Sequence, residues 1–513
     1  MPSPLDRRKF FGSAAALSLS AASYARIVGS LDRLGVGFLG CGGRAQAHID
    51  LVKRFAAAGR GVVPVAVCDV WDGLEDEYEV EFGGRLTRRR YAQGLYPTAG
   101  KCGLDPADRS RVTKDYRRIL DRADVDVVCI ATPDHWHGRM TVDALNAGKD
   151  VYVEKPMTRT PEEAVAVLDA WQRTGRVVTV GVQALADPVW FRAFEVIRGG
   201  GIGHVAQVQT GVFRNDIRGQ WRYYRLVPEM TPRSVDWDLF LGHRFELAGR
   251  RLGPTPAEQP FDRAAFAQWR CLWAFSAGPF SDLLTSPAAR LSAAVGLRFP
   301  ARVTAGGGLY LEYDGRDVPD VVTVVADYEE GCQFTLTAAT VTGYPTEEVV
   351  RGRLGTLKFV KGGFEVHRDD PCRGSSFPPR LERHPPAAEF VPVEPPRHET
   401  ETLWENFLDC VRARRQSTLC PPDLGAAAVV LTALAAQSYR TGQALFWDRE
   451  RRAVVPADGS WAARWEQRSH ARGKPNQVFA WSGGEAGSTI SPPGYQKWAG
   501  PWVNGKDPGP SAG

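Results

Sequence analysis

The sequence predicts two folded parts: an α/β domain built on a parallel sheet, then an α+β domain built on a second sheet. Three observations carry this. The apolar run Leu34-Gly-Val-Gly-Phe-Leu39 passes through a glycine-rich turn into a helical stretch from Gln46 to Ala58. Val62 to Val70 and Val125 to Thr132 are near-continuous apolar runs of the kind that parallel strands, buried on both faces, require. Beyond residue 200 the pattern changes to short β-branched or alternating runs separated by Gly, Asp and Pro. The 513 residues also exceed the roughly 250 to 300 over which one core keeps growing.

The chain opens on Asp6-Arg7-Arg8-Lys9-Phe10-Phe11, followed by a small, weakly apolar stretch from Gly12 to Ala25 that ends in the small-x-small site Ser23-Tyr24-Ala25. This is the plan of a secretory signal. The arginine pair resembles the twin-arginine signal that exports folded proteins, so a periplasmic location is expected for the mature chain. No later stretch offers the ~18 uninterrupted apolar residues of a membrane span.

The turn after the first strand reads Gly40-Cys41-Gly42-Gly43-Arg44-Ala45, a G-x-G-x-x-A pattern in strand, turn, helix context. Gly40 permits the tight turn, Gly42 lets backbone approach a pyrophosphate, and the small Ala45 lets helix and strand pack closely. Phosphates would then lie at the helix N-terminus. The second strand ends in Asp69, placed to hydrogen-bond a ribose 2′-hydroxyl and to repel a 2′-phosphate. NAD is therefore expected as cofactor, with NADP the alternative.

The run Val125 to Thr132 empties into Pro133-Asp134-His135-Trp136-His137, read as a loop before a helix from Gly138 to Ala147. The short strand Asp150 to Val153 empties into Glu154-Lys155-Pro156. Ligands in open α/β sheets bind outside the carboxyl ends of the strands, so both motifs fall on the functional edge. A helix from Pro161 to Thr174, a strand from Val177 to Val182 and a helix from Pro188 to Arg198 complete the domain.

In the second half, Ala206 to Phe213, Ala301 to Leu311, Val321 to Tyr328, Cys332 to Thr342 and Thr356 to Val360 read as strands. Helices follow at Glu401 to Arg415 and Gly425 to Thr441, then a tail rich in Gly, Pro and Trp without helical periodicity. The expected organisation is a leader over 1–30, a dinucleotide-binding domain over 31–200, a sheet domain over 201–450 and an irregular extension over 451–513.

Composition narrows the partners. The net charge of +5 arises from 64 basic and 59 acidic residues, and most basic clusters, such as Arg88-Arg89-Arg90, are short. Nucleic acid is not the expected partner. The nine cysteines hold no C-x-x-C pair, and Cys68 and Cys129 sit in apolar runs where a buried thiol fits better than a disulfide. No metal site is expected.

Taken together, the glycine motif, Ala131-Thr-Pro-Asp-His-Trp-His137 and Ala147-Gly-Lys-Asp-Val-Tyr-Val-Glu-Lys-Pro156 resemble the Gfo/Idh/MocA oxidoreductase family. The similarity runs on through Asp236-Trp237, Trp269-Arg270 and Gly278 to Thr285, covering roughly residues 32 to 450. It implies a Rossmann domain followed by an open, mostly antiparallel sheet domain that carries a sugar or polyol substrate and often the contact of a homo-oligomer. It also implies that Lys155 lies beside nicotinamide and substrate, that Glu154 orients it, and that Thr132, Pro133 and His137, with His135 as a further candidate, line the cofactor edge. The family's Asp-x-x-x-His-x-x-Asp helix keeps its first acid as Asp282, one helical turn before Ser286, but has Ser286 for the histidine and Ala289 for the second acid. A serine hydroxyl does not titrate near neutral pH, so the usual base is missing. The chemistry then rests on Lys155, with Asp282 or Tyr223 as proton acceptor. Two further readings stay open: a glycoside-cleaving enzyme that oxidises its substrate only transiently on bound NAD, and a cofactor- or sugar-binding protein without catalysis.

Overall fold

The computed structural model describes residues 33–82, 85–369, 388–456 and 460–471. The leader expected over 1–30 and most of the extension expected over 451–513 lie outside the described residues.

Six parallel strands form the first sheet, in the order β5-β2-β1-β6-β7-β8: β1 (Leu34–Leu39), β2 (Val62–Cys68), β5 (Val112–Thr113), β6 (Val127–Ile130), β7 (Asp150–Glu154) and β8 (Val178–Gly181). Alternation along the strands assigns each side chain to one face. Val128, Ile130, Val151 and Val153 join one core, whereas Val127, Cys129 and Tyr152 join the other. Helices must cover both faces, since either exposed face would leave apolar area in water at roughly 25 cal/mol per Å². The helix Gly43–Ala57 covers the second face with Ala45, Ile49 and Val52. It shares that core with Trp404, Phe407 and Val411 of the helix Glu399–Arg412, which arrives from the far end of the chain. The segment 201–450 therefore contributes one helix to the first domain's core.

Three elements between β2 and β5 went unread in the sequence: β3 (Leu74–Phe82) and β4 (Arg85–Gln93), an antiparallel hairpin, and the short helix Leu95–Cys102 after it. The hairpin strands carry charge where an apolar face would be expected, Glu75, Glu77 and Glu79 opposite Arg90 and Arg88. It is held down by Arg225, which donates to Asp76 at 2.7 Å and lies over the rings of Tyr78 and Tyr91.

The second sheet has ten strands in the order β18-β17-β16-β15-β9-β14-β13-β12-β19-β20. These are β9 (Val205–Phe213), β12 (Arg302–Gly308), β13 (Val321–Tyr328), β14 (Cys332–Ala339), β15 (Val349–Gly352), β16 (Gly355–Val360), β17 (Gly363–Arg368), β18 (Glu389–Pro392), β19 (Leu445–Asp448) and β20 (Ala453–Val455). Only β9 and β14 pair in parallel, so the sheet is open, mixed and mostly antiparallel. The helices Thr285–Val295 and Pro422–Thr441 pack Leu291, Val295, Val430 and Leu434 with Val322, Val324 and Leu336 of its inner face.

The expected irregular extension begins with β20, an edge strand of the second sheet, and continues into a helix, Trp461–Ala471, with Trp461 against Phe446 and under Arg302. The helix is held by residues far away in the sequence, Arg302 over Trp461 and Glu329 paired with Arg464, which leave no local pattern to read. The eight described cysteines are all unpaired; seven are buried and Cys102 is half-buried. Among the described residues no helix is long and apolar enough to cross a membrane, and no group of three His, Cys, Asp or Glu side chains could hold a metal ion.

Candidate active site

The site lies where β1, β6 and β7 end and the second domain closes over them. At Gly40 the backbone turns with φ +89°, and a Cβ there would stand 2.6 Å from the carbonyl oxygen of Ala131, so only glycine fits this loop against β6. Gly42 differs: no heavy atom lies within 4 Å of the point its Cβ would occupy. The helix that starts at Gly43 has no side-chain cap. Its first-turn N–H groups and dipole face an open cradle, as a diphosphate requires.

Asp69 sits at the end of β2 and holds this loop. One carboxylate oxygen accepts from Cys41 N–H at 2.6 Å and the other from Trp71 N–H at 2.8 Å. Burial pushes its carboxyl up to about 6, against the pull of those amides and of Lys114. A carboxylate has about four acceptor positions, so lone pairs remain for a ribose hydroxyl. The open cradle, the uncapped helix and this acid together fit a dinucleotide.

Glu154 ends β7 and is buried. Its Oε1 accepts from Arg44 Nε and His48 Nε2, both at 2.8 Å, and from Gln183 at 2.9 Å. The indole N–H of Trp404 donates to His48 Nδ1 at 2.9 Å, which places the remaining ring proton on Nε2, facing Glu154. Burial alone would raise this carboxyl, but Arg44 and His48 outweigh it and hold it well below the usual carboxylate range. Arg44, expected at the cofactor phosphates, is thus committed to Glu154. Glu154 in turn holds Lys155 only through the backbone, accepting its N–H at 3.3 Å. His48, Gln183 and Trp404 were missed in the sequence, although Arg44 and His48 stand four residues apart on one helical face, a spacing that could have paired them.

The segment 133–137 is helical, not a loop: the helix runs Asp134–Asn146 with Pro133 at its N-cap. This buries both histidines. His135 Nε2 bonds the carbonyl of Phe240 at 2.8 Å. His137 spans the carbonyls of Thr132 at 2.9 Å and Pro156 at 2.6 Å and is 1% exposed, so it braces the two motif loops. Thr132 and Pro133 stay at the carboxyl end of β6, half-buried. Asp134, unread as a site residue, reaches across to accept from Ser276 at 2.8 Å and Ser281 at 3.1 Å in the second domain.

Lys155 crosses the same boundary. Its Nζ donates to the carbonyl of Asp282 at 2.6 Å and to Asp282 Oδ1 at 2.9 Å. Asp282 also accepts from Arg270 Nε at 3.1 Å and Trp221 Nε1 at 2.9 Å. Burial opposes ionisation here, but Lys155 and Arg270 win and hold the carboxyl well below the usual range. Trp221 is fully buried at φ +68°, a backbone state that costs a non-glycine residue of order 1 to 3 kcal/mol and clusters at functional sites. Tyr223 is close by, but burial, then Tyr224 and Asp282, push its hydroxyl up to about 12, which leaves it a neutral phenol and a poor proton acceptor.

Asp282 and Ser286 are not one regular helical turn apart. Asp282 lies in a wide π-type turn, Pro279–Leu283, and the α-helix begins afresh at Thr285. Ala289 is fully buried in that helix, so the second acid of the family pattern has become core.

Comparison with known proteins agrees with this geometry. The family model GFO_IDH_MocA, described as an oxidoreductase family with an NAD-binding Rossmann fold, matches residues 95–182. A protein named glycosyl hydrolase family 109 protein from Shewanella pealeana is 33% identical over 148 residues, which is 29% of this chain and 28% of that protein. The chain thus matches little more than a quarter of this relative's length. Among solved structures, aldose-aldose oxidoreductase from Caulobacter crescentus, complexed with glycerol, superposes with a TM-score of 0.53 at 18% identity, covering 81% of this chain and 99% of that one. Levoglucosan dehydrogenase in complex with NADH gives 0.53 at 18% identity, covering 83% and 99%. At such identities the structures establish the fold.

Proposed function

We propose, from the premise that this chain belongs by its Rossmann domain to the Gfo/Idh/MocA oxidoreductase family, that it is an NAD-dependent oxidoreductase acting on a sugar or polyol with tightly held cofactor. The observation that carries this reading is the Lys155–Asp282 bridge at the end of β7, beside the open glycine loop. Gly40 to Ala45 would hold the diphosphate and Asp69 the ribose. Nicotinamide, when bound, supplies a hydride acceptor. Lys155 has three N–H donors and spends two on Asp282, so one remains for the reacting oxygen. A fixed cation there stabilises the negative charge that grows on that oxygen as its proton departs, before the carbinol carbon gives up its hydride. With Lys155 already an ammonium and Asp282 held ionised, neither keeps the hydroxyl proton, which leaves to solvent water past the Asp282 carboxylate.

The family 109 relative favours a second reading, glycoside cleavage without net redox. Single-turnover reduction of bound nicotinamide across a panel of sugars and glycosides separates the two. Lasting reduction supports the first, and glycoside cleavage with no lasting reduction the second. Silence with every compound would leave a binding protein without catalysis.

Export through Arg7-Arg8 is part of the proposal. The cofactor would be loaded before export, so purified protein should carry near-stoichiometric dinucleotide by mass spectrometry. An Arg7→Lys, Arg8→Lys chain that still leaves the cytoplasm at the normal rate would refute the leader reading.

A further inference from the structure

Arg270 has a share in the Asp282 cluster that the bridge to Lys155 does not need. We propose that the substrate carries a carboxylate and that Arg270 receives it, which makes sugar acids the substrate class; this rests on the oxidoreductase reading for the reaction but not for the binding.

An arginine has five N–H donors in a planar fork. Two other arginines of this domain use all three nitrogens of that fork. Arg222 engages Asp314 and Gln268 through all three nitrogens, and Arg316 does the same with Glu312, Asp314 and the carbonyl of Gln220. Arg270, with its side chain 22% exposed against 18% for Arg222, has only its Nε engaged, on Asp282. Its two terminal nitrogens, with four N–H groups between them, meet no acceptor among the described residues. The fork is nonetheless held still: it lies 4.1 Å over the ring of Trp269 and 5.4 Å from that of Tyr224. A rigid guanidinium whose outer edge is unspent has the geometry for a bidentate carboxylate.

The charges around it agree. Lys155 and Arg270 share one carboxylate, Asp282, and touch the same oxygen of it. Of the nearby acids, Asp314 pairs with Arg222 and Arg316, and Asp134 accepts from Ser276 and Ser281 while also acting electrostatically on Arg270, which leaves Lys155, Arg270 and Arg214 facing Asp282 and Asp134. Arg214, which acts electrostatically on Tyr223, forms no ion pair among the described residues. The site therefore holds a surplus of positive charge that an anionic substrate neutralises. Because Lys155 and Arg270 meet at one oxygen, a substrate can place its carbinol at the first and its carboxylate at the second.

The test is calorimetric binding to the purified holoprotein of D-glucuronate, D-galacturonate and D-gluconate, against the methyl esters of the two uronates and the parent aldoses. At least one acid should bind tenfold or more tightly than its neutral counterpart. Arg270→Gln should lose about ten- to hundredfold in affinity for that acid and leave neutral binding in place, which also reports that the variant is folded. Arg270→Lys, with charge but no fork, should fall between. Equal affinity for acids and neutral counterparts, an acid preference that survives Arg270→Gln, or no binding of any acid would overturn the proposal. Nicotinamide absorbance on the same samples keeps the two readings apart. Acid binding without reduction upholds Arg270 and sinks the oxidoreductase reading; reduction by neutral sugars alone sinks Arg270 and leaves that reading standing.

Discussion

Glu154 and Asp282 are two buried carboxylates, one under each side of the interdomain boundary, and both are held ionised by flanking cations. Their surroundings differ in one respect. Around Glu154 the donors close in on a single oxygen: Arg44 Nε, His48 and Gln183 converge on it, and Trp404 closes the far side of His48. Around Asp282 the donors outnumber the acceptors, with one N–H of Lys155 and the outer edge of Arg270 left over. A buried polar network that is complete rigidifies a fold, and one that is incomplete is built for something that arrives. On this comparison Glu154 is scaffolding and Asp282 belongs to the site.

The largest expected effect breaks the scaffold. Glu154→Ala leaves Arg44 and His48 without their shared partner and should cost about 3 to 5 kcal/mol in denaturant unfolding. A loss within the scatter of surface substitutions would show that the cluster is not the brace described. Both carboxyls titrate lower in the folded than in the unfolded chain, so the stability they confer is present above the ordinary carboxylate range and is lost as pH falls below it.

Next, Lys155→Ala should lower single-turnover nicotinamide reduction by about 10²- to 10³-fold while the cofactor stays bound, because the diphosphate contacts lie elsewhere. If Glu154→Ala loses rate at unchanged stability and Lys155→Ala the reverse, the two roles have been exchanged.

Smaller again is the effect of Asp69. Asp69→Ala should weaken NAD by about 1.5 to 3 kcal/mol and NADP by less, as measured by equilibrium dialysis. Since burial raises this carboxyl, its negative charge is present only as pH rises through about 6. Preference for NAD over NADP should therefore narrow as pH falls through that value. A preference independent of pH would remove Asp69 from cofactor choice.

The smallest is Ser286→His. The helix restarts between Asp282 and this position, so an added imidazole is not carried into register with the acid, and no gain in single-turnover rate over wild type is expected. A rise would mean that the wide turn tightens when substrate binds.

Much of this was legible in the sequence. Gly40, Gly42, Asp69, Lys155 and Asp282 fall where a strand-turn-helix reading and the family resemblance put them, because strand ends are marked by local chemistry. The start of the helix at Asp134 was missed although Pro133 followed by an acid is a helix-opening signal; the histidines beside it invited a site reading instead. The β3–β4 hairpin hid behind alternating charge, which shows no apolar face to count. His48 with Trp404 was beyond reach, since 356 residues separate two side chains that meet only in the folded core. The tie of Arg44 to Glu154 and the unspent outer edge of Arg270 depend on such contacts and leave no local trace.

The unpaired cysteines have a consequence outside the site. With seven of the eight described thiols shut inside the fold, the chain carries its own indicator of intactness. An alkylating dye should mark few positions on native protein and many once the chain opens, so the rate of labelling tracks the breathing of the two cores without any added probe. The same arrangement rewards a secretion route that moves the protein already folded. An unfolded chain would present all these sulfurs at once to an oxidising compartment, where mispairing is irreversible on the timescale of folding.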